Sequence, residues 1–384
     1  MPVRVAVRPE LLQWARRRAR VEVDDLAAKF PKLAKWESGD AAPTLRQLEA
    51  FAHATHAPFG YLFLDAPPAE PIPIPDFRSR DAQSVADPSA NLLDTIFVCQ
   101  ERQDWYRDHL RAEGATPLAF VGSVQVGADV IVTARAIESA IGFDLEYRRR
   151  ASTWEDALRD FVEQAEALGI LVMRNGVVGN NTHRKLDVDE FRGFTLADPV
   201  APLVFVNGAD TKSAQMFTLA HELVHVWTGE SGLGDESPID GADSDRERWC
   251  DAVAAELLVP AHAMLEAFDR TRPLRAEIRT LAGRFKVSTL VVLRRAHDIG
   301  AISRETFHRA YEDELERLRA LGERGTGGGN FHNTEAVRVS RTFARALITS
   351  ALEGQTLYRD ALRMLGISKW ETFHDFGQVV GAAV

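Results

Sequence analysis

Apolar residues in the first 64 positions recur at helical spacing in short runs broken by glycine and proline, which predicts a set of short helices between residues 9 and 64. The next segment, APPAEPIPIPDFRS, holds five prolines. Its Pro-Ile alternation predicts extended geometry, because each proline fixes its own φ and turns the preceding residue away from helix. Helical spacing returns from Asn91 to Leu110 and from Ala134 to Ile141, and Ser152 or Thr153 is placed to cap a helix from Trp154 to Ala167. The period then changes. GILVM, FRGFTL and PLVFV are short, rich in β-branched and aromatic residues and bounded by Gly, Pro, Asn and Asp, so they predict three strands between 170 and 206. KSAQMFTLAHELVHVW predicts a helix stopped by Gly229, and RERWCDAVAAELL a second one ended by Pro260. Helices predominate to about residue 320, and a last helical segment is expected from 334 to 365, beyond the glycine run GTGGGN.

The expected class is therefore α+β and mainly helical, a small sheet beside a long helix. The expected organisation is a helical domain at 1–67, a proline-rich linker at 68–90, a core domain at 91–322, and a glycine linker with a C-terminal helical segment at 323–384. At 384 residues the chain is long enough for each part to bury a core. Its two cysteines, Cys99 and Cys250, lie far apart without CxxC spacing, which supports neither a disulfide framework nor a thiolate cluster and fits a reducing cytoplasm. The N-terminus lacks the apolar core of a signal peptide, and no apolar run is long enough to span a bilayer, so a cytoplasmic protein with no membrane partner is expected. A formal net charge of -10 argues against polyanion binding by the whole surface.

The candidate chemistry lies at 221–251. His221, Glu222 and His225 form HELVH inside the predicted helix, and the i, i+4 offset sets both imidazoles on one face, where they can share a metal. The second helix carries Glu247, 26 residues after His221, and Asp251 one turn further. A hydrolytic zinc site uses three protein ligands and an open position for water, and His221, His225 and Glu247 complete a His2Glu set. Asp251 is then placed to accept the free ring N–H of a ligand histidine, and Glu222 to act as the general base. The alternative, ordinary helix residues on a solvated face, leaves four polar groups inside apolar helices without a cation. Asp235, Glu236, Asp240, Asp243 and Asp245 read as solvated loop acids, the alternative being that one of them is the third ligand. For oxyanion stabilisation His183, His332 and Tyr358 are candidates. His332 is preferred because it follows a glycine run able to fold over the site. FRGFTL and PLVFV read first as plain core sheet, the alternative being that one of them offers an edge to a peptide substrate.

In FTLAHELVHVW and ERWCDAVAAELLVP the chain resembles the ImmA/IrrE-type metallopeptidases, with Cys250, Asp251, Val253 and Val259 as mild variants of the family pattern. The resemblance covers roughly residues 165–300. It implies a zincin-like core, Zn2+ as cofactor, the ligand and base roles on His221, Glu222, His225 and Glu247, and an endopeptidase that acts on a repressor or regulator protein. The segment PIPDFR and the N-terminal arrangement are similar to a longer subgroup with a regulator-like domain in front. Its members are often encoded beside a small ribonuclease-like toxin, so a non-catalytic antitoxin with a toxin partner is the rival expectation.

Residues 9–64 resemble the XRE/Cro-type helix-turn-helix in DDLAAKF, KWESGDAAPTLRQLEAFA and PFGYLFL. Leu26 and Trp36 are ten residues apart, roughly four fewer than that fold places between them, which shortens the recognition helix behind Pro31. Arg16, Arg17, Arg18 and Arg20 form a basic cluster, and with Lys35 they are the candidate phosphate contacts if DNA is a partner. A second unit with helix-turn-helix spacing runs from 274 to 302, with Lys286 where glycine is usual. It reads as a packing motif ahead of a DNA contact.

Overall fold

The computed structural model describes residues 4–77, 88–234, 245–322 and 336–382. These fall into two units, residues 4–73 with 88–97, and residues 74–77 with 98–382. The structure is mainly helical with a small sheet, and no helix among the described residues is long and apolar enough to cross a membrane.

In the first unit four helices, α1 (Pro9–Arg18), α2 (Val23–Ala27), α3 (Leu33–Glu37) and α4 (Leu45–Thr55), precede a 3-10 turn at Phe59–Phe63. Leu11, Leu12, Phe30, Leu33, Trp36, Leu48, Phe51 and Leu62 make its core. The sequence sets the helix ends: Pro9 opens α1, and Thr44 caps α4 in a capping box with Gln47. Only five residues make α3, and Leu33 and Trp36 point inward.

The second unit contains α5 from residue 98 onward (the whole helix is Ala90–Ala112), then α6 (Val130–Ile141), α7 (Leu145–Arg148) and α8 (Trp154–Ala167). Thr153 caps α8. Five strands follow: β1 (Leu171–Asn175), β2 (Val177–Val178), β3 (Asn181–Lys185), β4 (Gly193–Leu196) and β5 (Leu203–Asn207). The main sheet has the order β1-β5-β4, with β1 and β5 parallel and β4 antiparallel to β5, while β2 and β3 pair as a separate hairpin. The segment PLVFV is therefore the central strand, paired on both sides and fully buried, as its reading as core sheet has it, and is not an edge open to peptide. β4 is the edge.

Against this sheet lies α9 (Lys212–Thr228), capped by Thr211 and ended by Gly229 in the left-handed region at φ 72°. Residues Thr218–Trp227 are all buried, so the helix is a core element with no solvated face. The next helix, α10 (Asp245–Leu258), packs across α9 and α6. Its C-terminal end is held by two buried arginines. Arg148 donates to the carbonyls of Leu258 at 2.7 Å, Leu257 at 3.2 Å and Phe285 at 3.3 Å, and Arg295 donates to Val259 at 2.8 Å and pairs with Glu256. Both guanidiniums meet carbonyls that a helix end leaves unsatisfied, where the macrodipole favours a cation.

Arg295 belongs to the 274–302 unit, whose helices are α12 (Leu274–Phe285) and α13 (Thr289–Asp298), following α11 (Ala261–Ala267). Lys286 takes φ 56°, the left-handed cap conformation for which glycine is usual. Thr289, Val292, Leu293, Arg295 and Ala296 of α13 are buried, so one side of this helix packs into the body. After α14 (Arg304–Gly322), the helices Arg341–Leu352, Tyr358–Leu365 and Trp370–Val380 follow, the last of them past the expected end at 365. They dock on the same body: Arg102 donates to the Met364 carbonyl at 2.9 Å, and Phe343 packs edge-on against Trp105.

Replacing Arg148 by Ala leaves three buried carbonyls without their donor. The expected loss is about 2–4 kcal/mol, read as a lower urea midpoint with an unchanged slope, and a midpoint within error of wild type would refute this role.

Candidate metal centre

Helix α9 supplies three of the residues picked out by spacing, and α10 the other two. The i, i+4 offset turns His221 and His225 to one side of α9, where their Nε2 atoms lie 3.1 Å apart. Glu247, in the first turn of α10, brings Oε2 to 3.1 Å from His221 Nε2 and Oε1 to 3.5 Å from His225 Nε2. All three side chains are buried, and one ligand atom from each falls within 4.8 Å of the others. Two donors bound tetrahedrally at zinc-like lengths lie about 3.3 Å apart, so the observed spacing and the N2O donor set fit one divalent ion.

The backbone around the cluster leaves the room such an ion needs. A Cβ built at Gly234 would sit 3.1 Å from His221 Nε2, 3.2 Å from Glu247 Oε2 and 3.5 Å from Glu222 Oε1. Glycine keeps that point open. Asp251 faces the other side of His221, with its Oδ1 2.9 Å from Nδ1, so Nε2 is the ring nitrogen turned to the cluster. Glu222 is held from the edge strand: the Thr195 hydroxyl donates to Oε2 at 2.6 Å, leaving Oε1 as the oxygen that borders the Gly234 point. Gly193 permits that approach, since a Cβ there would stand 2.7 Å from Thr218 and 3.0 Å from Glu222 Oε1.

The charge states follow from burial and mutual pairing. Burial penalises a charged His221, yet its bonds to Asp251 and Glu247 outweigh burial and lift its pKa well above the ordinary imidazole value. Burial lowers that of His225. Burial would also raise the Glu247 carboxyl, but hydrogen bonds from both imidazoles bring it far below the usual range. Cys250 is no competitor, because burial pushes its thiol well up.

The remaining predicted residues lie elsewhere. His332 falls outside the described residues, as do Asp235, Glu236, Asp240 and Asp243 and the glycine run at 325–329. Asp245 is exposed and pairs with Arg248. His183 is exposed on β3, and Tyr358 packs edge-on against Trp370 and Phe373. Among the basic residues of the first unit, Arg16 binds Glu37 at 2.9 Å and Arg18 is buried against Glu70 and the His56 carbonyl, whereas Arg17 and Lys35 are exposed. Sequence reasoning missed Thr195, Gly193 and Gly234, none of which belongs to a spaced motif.

This geometry agrees with what comparison shows. Residues 165–297 match the IrrE N-terminal-like domain. That family model is one of peptidases, and its span contains β1, β4, β5, α9 and α10 with the whole cluster, which supports a peptidase of the IrrE type for this region. Residues 339–378, in the C-terminal helices, match a domain of unknown function, and no curated protein matches the chain.

Two outcomes check the cluster. The proton that His221 holds in the metal-free protein must leave before a cation binds, so affinity should rise from pH 6 to pH 8 with proton release, measured by calorimetry in buffers of differing ionisation enthalpy. A pH-independent affinity would remove this ligand set. Gly234→Ala places a methyl among the donors and should weaken binding by at least about tenfold with folding intact, since exclusion from a fitted site costs more than 1.4 kcal/mol.

Proposed function

We propose that the second unit is a zinc-dependent endopeptidase whose target is a regulator or repressor protein. The observation that carries this reading is the buried His221, His225 and Glu247 triad with Glu222 beside it, each of the two outer groups anchored by its own partner, Asp251 or Thr195. Two neutral imidazoles and one carboxylate form a ligand set that retains zinc with a coordination position to spare. When bound, the ion supplies Lewis acidity, which acidifies water and polarises a peptide carbonyl. Glu222 Oε1 then takes the proton of the attacking water and returns it to the nitrogen of the leaving amine. Thr195 keeps the carboxylate turned for both transfers by occupying Oε2. His221 is held in one tautomer by Asp251 throughout.

The sheet edge constrains the substrate. Gly232 exchanges two 3.0 Å backbone hydrogen bonds with Thr195 of β4, and Leu233 exchanges two of 2.9 Å with Pro75 and Phe77. A peptide pairing directly with β4 has to displace Gly232, so the same arrangement favours a second reading in which the unit binds a protein partner, such as a small toxin, without cutting it.

Glu222→Gln separates the two. Under the peptidase reading the variant holds one zinc per chain and folds as wild type, yet loses cleavage of its target by at least about a thousandfold, since the residue makes both proton transfers. Full biological activity in a zinc-loaded Glu222→Gln protein would overturn the peptidase reading in favour of binding alone.

A further inference from the structure

The two ligand histidines are supported unequally. His221 has its second ring nitrogen tied to Asp251 at 2.9 Å. His225 has none of this: its Nδ1 is buried and makes no hydrogen bond among the described residues. A ligand imidazole ordinarily gains its orientation from a bond at that nitrogen. What faces the His225 ring is Phe77, stacked at 5.7 Å between centroids and tilted by 19°.

Phe77 is itself closely held, though it comes from the proline-rich segment and lies far in sequence from the HELVH helix. Its backbone N–H donates to the Leu233 carbonyl at 2.9 Å, and the Leu233 N–H donates to the Pro75 carbonyl at 2.9 Å. Ile74, three residues earlier, is buried. The ring lies where a side chain at residue 232 would be, since a Cβ built on Gly232 would come within 2.0 Å of Phe77 Cε2. The Arg246 guanidinium sits 4.9 Å from the ring centroid and is itself bound to Glu230 at 3.1 Å. Backbone pairing, a glycine seat and a cation thus converge on one aromatic ring beside one ligand.

We infer that Phe77 is the positioning residue for His225, its ring face doing for that imidazole what the Asp251 carboxylate does for His221. The inference rests on the metal reading of the cluster. A stacked ring restricts rotation about the His225 side-chain bonds, and it keeps water from the buried Nδ1. The segment between the two predicted domains is on this account a working part of the metal centre.

The test uses the full-length chain and Co2+ alone, with affinity read by competition against a chelating dye and geometry read from the visible absorption of the cobalt form. A stacked pair contributes enough that its loss should weaken Co2+ binding about 3- to 10-fold in Phe77→Ala. Phe77→Leu, which keeps bulk and loses the ring face, should weaken it similarly and shift the cobalt spectrum, while Phe77→Tyr restores both. If Phe77→Ala does not fold, Phe77→Leu carries the comparison. Wild-type affinity and spectrum in Phe77→Leu would overturn the positioning role and leave the metal reading standing. A wild-type chain that binds no Co2+ or zinc would overturn the metal reading, and this inference with it.

Discussion

Four ionisable side chains, His221, Glu222, His225 and Glu247, are buried in the apolar layer between α9, α10 and the sheet, and the rest of the second unit is arranged around that fact. Burying such groups is costly unless each is paired, hydrogen-bonded or bound to a cation. Three sets of contacts offset part of that cost. Asp251 takes the back of His221, Thr195 takes one oxygen of Glu222, and the two imidazoles share Glu247. Glycines at 193 and 234 stand where any side chain would intrude on Glu222 or on the point between the donors.

The provision extends outward from the site to parts of the chain that carry no chemistry. Because Glu247 and Asp251 ride on α10, the cluster holds its spacing only if that helix is fixed at its far end. Arg148 and Arg295 do this by satisfying its last carbonyls. Arg295 arrives on α13, which gives the helix-turn-helix-like unit a role inside the body. The C-terminal helices pack on α5, and so belong to the same folded unit as the site.

Much of this was legible in the sequence because the determining interactions are local or periodic. The i, i+4 offset in HELVH, the Thr153 cap, the Gly229 stop and the ending of α10 ahead of Pro260 each depend on a few neighbouring residues, and the structure has them where the pattern puts them. The β2-β3 hairpin escaped notice because NTHRK is polar and nearly all exposed, without the apolar alternation that marks a strand. The final helix, Trp370–Val380, lay beyond the last segment read as helical, although its apolar face is buried.

The sequence by itself determined which residues could form a metal cluster, since spacing along two helices is a property of the chain. Only the tertiary structure decided how those residues are supported. Strand order made β5 central with β4 beside it, and so put Thr195 on Glu222. Backbone pairing with Leu233 carried Phe77 from a proline-rich segment to the face of His225. Neither contact has a sequence signature, because each joins residues far apart in the chain through the packing of whole elements, and packing is specified by the fold as a whole.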